Sequence, residues 1–204
     1  FKQREEKQVF VKPVFRDKTE LNPAHLAWFQ KRSISSEALV KGKVYSSKEW
    51  MPQFEKEVPV VCFPFYENKK LINVKTRGPK KSFKLHKGAK KIFYNLDGVK
   101  ESPVVVIVEG EMDALSYMTA GINFVISVPN GANPNLDYLN DCIELFDKKE
   151  SFVLAVDADP KGVMLREELA GRLGVERCKI VDYKGCRDAN EDWVKYVGMA
   201  RCAT

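Results

Sequence analysis

Two acidic clusters stand at the ends of apolar runs in this 204-residue chain. The first is Glu109-Gly110-Glu111, after the aliphatic run Val104 to Val108, with Asp113 just beyond it. The second is Asp157-Ala158-Asp159, after the apolar segment Ser151 to Val156. An unbroken aliphatic run leaves no polar face for water, so Val104 to Val108 reads as a strand buried on both faces. Gly110 lets the backbone turn, and Glu111 opens a helix whose apolar side is Met112, Leu115 and Met118. Acids in a first helical turn suit the helix dipole, an ordinary reason for Glu111 and Asp113. Glu109 has no such reason. A carboxylate at the carboxyl end of a buried parallel strand lies where open α/β sheets place their ligands. Asp157 and Asp159, at i and i+2 of an extended segment, point the same way and can address one spot. Two such strand ends in one sheet make a cluster of water-exposed carboxylates that repel unless a cation sits among them. Hard oxygen donors select magnesium or manganese.

Other chemistries fit less of the chain. Asp-x-Asp after a strand also occurs in nucleotide-binding ATPases, but no Gly-x-x-x-x-Gly-Lys-Ser/Thr is present. An aspartyl-phosphate phosphatase would leave Glu109-Gly110-Glu111 without a task. The five cysteines, Cys62, Cys142, Cys178, Cys186 and Cys202, lack paired spacing, and only His25 and His86 could join them. That argues against zinc and for reduced core thiols in a reducing compartment.

The elements around the acids follow from periodicity. Strand and helix alternate from about Ser102: strands over 104–108, 123–128, 151–156 and 178–182, helices over 111–120, 135–146, 161–173 and 189–197. This predicts an α/β unit with a mostly parallel sheet covered by helices on both faces. Upstream, Asn22 and Pro23 open a helix to about Lys31, and Ser33 or Ser35 caps a second over 33–40. Leu26, Trp28, Phe29 and Leu39 are expected to form an apolar cluster. Val58 to Tyr66 and Leu71 to Arg77 read as antiparallel strands turning at Glu67-Asn68-Lys69, with Lys75 and Arg77 on one face at a sheet edge. Such a pair is either a phosphate clamp or two solvent-facing cations. Phe1 to Lys18 reads as a tail or loose strand. No apolar stretch is long enough to span a membrane, and no signal-peptide pattern opens the chain.

The net charge is +6, with 44% hydrophobic and 30% charged residues. Between Glu67 and Lys100, eleven cations face two acids, a local balance of +9. A patch that exceeds the whole-chain charge suits a polyphosphate partner, and Phe83, Phe93 and Tyr94 are interleaved as base stacking would require. A solvated lysine-rich face over core aromatics is the alternative.

Both acidic clusters resemble the Toprim domain shared by topoisomerases, primases and some nucleases. With Val74-Lys75-Thr76-Arg77, Ser127-Val128-Pro129-Asn130-Gly131-Ala132 and Arg187-Asp188-Ala189-Asn190-Glu191, the chain from about Leu21 onward is similar to the primase core of phage-type primase–helicases, above all their plant organellar Twinkle-like branch. The resemblance implies a tail or edge strand over 1–20, a smaller mixed α+β basic subdomain over 21–102 and a Toprim metal-binding subdomain over 103–204. It implies a DNA primase, a nucleotidyltransferase making RNA primers from ribonucleoside triphosphates on single-stranded DNA with Mg2+ or Mn2+. Glu109, Asp157 and Asp159 would be the catalytic metal ligands, with Asp188 as a supporting acid or merely the cap of the last helix. Lys75, Arg77, Lys84, Asn130 and Gly131 would hold the nucleotide, and Lys80, Lys81, Lys87, Lys90 and Lys91 the DNA. Zinc-binding and helicase domains of a longer protein are the implied partners, in mitochondria and/or chloroplasts. Two alternatives are a non-catalytic single-stranded DNA-binding module serving a helicase, and a Toprim nuclease. The presence of all three acids weighs against the first, the basic upstream half against the second.

Overall fold

The computed structural model describes residues 10–11 and 20–202. The tail or edge strand expected over 1–20 falls largely outside them. Asn22 caps α1 (Pro23–Gln30), its side chain accepting from the His25 N–H, with Pro23 in the first turn. Ser35 caps α2 (Ser36–Lys41) by accepting from Ala38 N. The second helix therefore starts later than a Ser33 cap would place it. Phe29 and Leu39 are buried and Leu26 and Trp28 pack against them, as the apolar spacing anticipates.

The first sheet is antiparallel, β1 (Tyr45–Met51), β2 (Lys56–Glu67), β3 (Lys70–Arg77) and β4 (Phe83–Lys84), in that order. The β2–β3 turn is made by Asn68 and Lys69, both at positive φ, and the Asp97 carboxylate accepts from both of their N–H groups. β4 pairs with β3 at Thr76 and Arg77, so Lys75 and Arg77 do not lie on an open sheet edge. That expectation is corrected by a strand of two residues, too short for any periodicity to reveal. β1 escapes a sequence reading as well, because Ser46 to Glu49 is polar throughout. In a flat sheet β1 and β4 would stand about 14 Å apart, yet Glu49 and Lys84 form an ion pair at 3.4 Å. The sheet therefore curls around a small core of Tyr45, Met51, Val58, Val60, Cys62 and Val74. Val61, Phe63 and Phe65, alternating on β2, point the other way into the main core.

The second sheet is parallel, as the alternation predicts. It comprises β5 (Val104–Val108), β6 (Val125–Ser127), β7 (Ser151–Ala155) and β8 (Cys178–Ile180), in the order β6-β5-β7-β8. α3 (Glu111–Thr119) links β5 to β6, α5 (Pro160–Leu173) links β7 to β8, and α6 (Ala189–Cys202) follows. The helix expected over 135–146 is instead a 3₁₀ turn, Asp137–Cys142, running into the short α4 (Ile143–Phe146). Asn133 and Asn135 explain the difference. Their side-chain oxygens accept from the N–H groups of Asn135 and Asp137, offering the backbone an alternative to helical bonding.

One buried core runs through both sheets. Phe29, Phe63 and Tyr94 meet edge to face, Phe65 packs on Tyr94, and Phe93, Phe146 and Phe152 continue the chain of rings beneath the parallel strands. Phe93 and Tyr94 are 0% and 1% exposed, so they cannot stack on bases. That expectation is corrected, and the core-aromatic alternative holds for both rings. Cys62, Cys142 and Cys186 are buried free thiols and Cys178 is half-buried. Among the described residues, no helix is long and apolar enough to cross a membrane.

Candidate active site at the parallel strand ends

β5 and β7 are adjacent and in parallel register, Val108 opposite Ala155. The chain leaves β5 toward β6 on one side and returns to β7 on the other, so the strand order reverses between them, the place where open sheets bind ligands. Glu109 follows β5 directly and Asp157 follows β7 by one residue. Both line a cleft of about 990 Å³ that is closed on its far wall by β3 and β4 of the curled sheet.

The Asp157–Asp159 loop is fixed on two sides. Asp159 caps α5, its Oδ1 accepting from Lys161 N at 3.0 Å and Gly162 N at 2.9 Å. Ala158 N donates to Arg187 O at 2.7 Å. A Cβ at Gly162 would overlap the Asp157 carbonyl, so only glycine lets the helix start so close to the strand end. Glu109 is held from the neighbouring loop, where Gly131 at φ +64° lets Ala132 N donate to Glu109 Oε1 at 3.3 Å. Asp188 caps α6, accepting from Glu191 N at 2.8 Å, and pairs with Arg187 at 2.7 Å. Asp188 therefore does cap the last helix, and it lines the cleft as well.

The carboxylates are not the water-exposed set that the spacing suggested. Glu109 and Asp157 are half-buried, and Asp113 is buried at 8% exposure. Burial, then the neighbouring Glu109, pushes Asp157 up to about 7. Burial also raises Glu109, and burial followed by Asp188 and Asp157 raises Asp113 well above the usual carboxylate range. Asp113 accepts from Asn190 N at 3.1 Å. Its position in a helical first turn had an ordinary explanation, and only the fold shows it at the bottom of the acidic wall.

The opposite wall is cationic. Lys75 is buried and pairs with Glu111 at 2.8 Å. The dipole reading of Glu111 missed this because the two residues stand 36 apart on different elements. Arg77 lies beside Lys75, and Arg32, from the turn after α1, joins it. Nothing in the sequence pattern singles out Arg32. Burial, and secondarily Arg32, lowers the Arg77 pKa. Lys81 and Lys84 also line the cleft, Lys84 engaged with Glu49. Asn130 and Gly131 complete the lining between the acidic strand ends. Of the other lysines assigned to DNA, Lys80, Lys87 and Lys91 are exposed outside the lining, and Lys90 pairs with Glu67 and Asp141. The eleven cations of the basic stretch are therefore not one free patch: Lys75, Lys84, Lys90 and Lys100 are each ion-paired.

The donor set fits a hard divalent cation. Glu109 Oε2 and Asn130 Oδ1 are buried without a hydrogen-bond partner among the described residues, and an oxygen in that state is costly unless a donor or a cation meets its lone pairs. Burial first, and then the neighbouring carboxylates, raise the pKa of Glu109 and of Asp157, and a magnesium or manganese ion would relieve the repulsion between them. Among the described residues, no three His, Cys, Asp or Glu side chains are grouped so as to hold a metal ion as they stand.

Residues 106–193 match the family described as Toprim-like. The Primase homolog protein of Arabidopsis thaliana is 32% identical over 184 residues, covering 80% of this chain and 53% of that protein. The Arabidopsis Twinkle homolog protein, chloroplastic/mitochondrial, is 31% identical over the same length, covering 80% of this chain and 25% of that protein. The chain thus spans about half the length of one curated relative and a quarter of the other. Among solved structures, the primase fragment of the bacteriophage T7 primase-helicase protein superposes with a TM-score of 0.66 at 25% identity, covering 84% of this chain and 70% of that one.

Proposed function

We propose that this chain, which carries a Toprim domain of the primase type, is the polymerising core of a DNA primase that joins ribonucleoside triphosphates on single-stranded DNA. One observation carries the reading: a single cleft sets Glu109, Asp157, Asp159 and Asp188 against Lys75, Arg77 and Lys81. An acidic wall facing a cationic wall suits a substrate that is polyanionic at one end and must be deprotonated at the other. Glu109, Asp157 and Asp159 would hold magnesium or manganese, with Asp188 in support. When bound, that cation lowers the pKa of an attacking hydroxyl and offsets charge on departing pyrophosphate.

The chain's own residues supply binding and orientation. Arg77 and Lys81 neutralise the triphosphate. Lys75 adds a charge whose position Glu111 fixes. Phe83, 43% exposed at the cleft, offers a face for a base, worth about 1–3 kcal/mol where stacking occurs. Lys80, Lys87 and Lys91 remain available to the template backbone, with log affinity falling against log salt by about 0.7 per neutralised phosphate. Template choice and translocation would come from zinc-binding and helicase parts of a longer protein. Work in chloroplasts or mitochondria is proposed from the organellar Twinkle homolog.

The test is oligoribonucleotide synthesis on single-stranded DNA with magnesium or manganese. The native chain should make product, and Glu109→Gln and Asp157→Asn should each lower it by about a hundredfold or more. Arg77→Gln should mainly raise KM. Native chain that binds single strands yet makes no product, even with a zinc-binding domain supplied, would instead be a non-catalytic DNA-binding module. Strand cleavage in place of synthesis would make it a nuclease.

A further inference from the structure

Two guanidiniums on the cationic wall share one aromatic ring. Arg32 Cζ lies 4.2 Å and Arg77 Cζ 4.8 Å from the centroid of Trp28. Like charges this close repel, and among the described residues no carboxylate lies within ion-pair distance of either. The π face of an indole is the best ring surface for a cation and offsets part of that repulsion. Trp28 is itself immobilised by its edge-on contact with the fully buried Phe29, centroids 4.7 Å apart. Arg32 is anchored further, its Nη1 donating to Trp28 O at 3.3 Å and its carbonyl accepting from Asn190 Nδ2 at 3.1 Å. Both arginines line the cleft and Trp28 does not. The ring's effect on the site therefore passes through the arginines.

We propose that Trp28 is a positioning residue that holds Arg32 and Arg77 about one ring as a preformed seat for the phosphates of a nucleotide. The proposal rests on the nucleotide-binding reading above and adds Arg32 to it. A seat whose charges are already fixed loses little side-chain freedom when a polyphosphate arrives, so its advantage grows with phosphate number. A tryptophan that merely covers the core would affect all ligands alike.

The experiment is calorimetric binding of ATP, AMP and adenosine in magnesium-containing buffer to the native chain, Trp28→Phe and Trp28→Leu. Phe keeps a ring face, and Leu keeps apolar bulk without one. Native chain should bind ATP well above AMP. Trp28→Phe should stay within about threefold of native for ATP, and Trp28→Leu should lose about tenfold with AMP and adenosine little changed. The loss in Trp28→Leu should not add to that of Arg32→Gln, since both remove one arrangement. Equal ATP affinity in Trp28→Leu and Trp28→Phe overturns the positioning role, as does a loss shared equally by ATP and adenosine. A native chain that shows no preference for ATP over AMP overturns the nucleotide reading itself, and the seat with it.

Discussion

Asp157 is held in conflict: its surroundings favour a proton, and the proposed chemistry needs it bare. Burial and Glu109 raise its pKa from the ordinary 3.8 to about 7. The folded protein therefore keeps a proton that the unfolded chain releases. Stability falls as pH rises from about 4, and the cost is complete above about 7. In metal-free buffer the melting temperature of the native chain should decline across that window, and Asp157→Asn should flatten the decline. Magnesium should raise the native melting temperature more at pH 8 than at pH 5, because a ligand must lose its proton to bind. An identical pH profile in the two proteins would show that Asp157 is not strained. Glu109, Asp157 and Asp159 were legible in the sequence because each ends an apolar run. Lys75 with Glu111, Asp113 with Asn190, and Arg32 were not, because their meaning lies in contacts between distant segments.

Among the elements, α5 and the junction before β5 each depend on one residue. Gly162 lets the first turn of α5 sit against the Asp157 carbonyl. Gly162→Ala should cost about 1–3 kcal/mol in chemical denaturation and should also lower primer synthesis, because the turn that must shift carries Asp159. Loss of stability with full synthesis would show that the loop adapts. Lys149 is buried, and its Nζ donates to the carbonyls of Val99, Lys100 and Ser102 at 2.6–2.8 Å. It ties the start of β7 to the segment that enters β5. Lys149→Met removes the donor shared by these carbonyls, of which, among the described residues, only Val99 O has a second partner, Ser102 N, and should destabilise by about 3 kcal/mol in denaturant unfolding, while Lys149→Gln should recover part of that. The parallel strands and their helices were readable from alternation, since a buried strand and an amphipathic helix carry different periods. β1, β4 and the 135–146 segment were not. A polar strand has no apolar period, a two-residue strand has no period at all, and asparagine side chains turned an expected helix into 3₁₀ structure.

At the scale of the whole molecule, the two sheets share one core and one cleft. The sequence suggested a hand-over near Ser102, but Phe63, Phe65 and Tyr94 pack in the same cluster as Val105 to Val108. Residues 103–204 expressed alone should therefore lack a fixed tertiary structure, seen as weak near-ultraviolet dichroism and poor amide dispersion. A well-dispersed fragment would show that the parallel half is self-sufficient. The joint between the halves is also what makes the site, because Glu109 and Asp157 follow the parallel strands while Lys75 and Arg77 lie on the other sheet. The measurement that tests this most directly is anomalous diffraction from crystals grown with manganese and a non-hydrolysable ribonucleoside triphosphate. The expected result is a manganese peak among Glu109, Asp157 and Asp159, with the phosphates reaching Arg77. A nucleotide bound elsewhere, or manganese absent from the acids while the nucleotide is in place, would contradict the account.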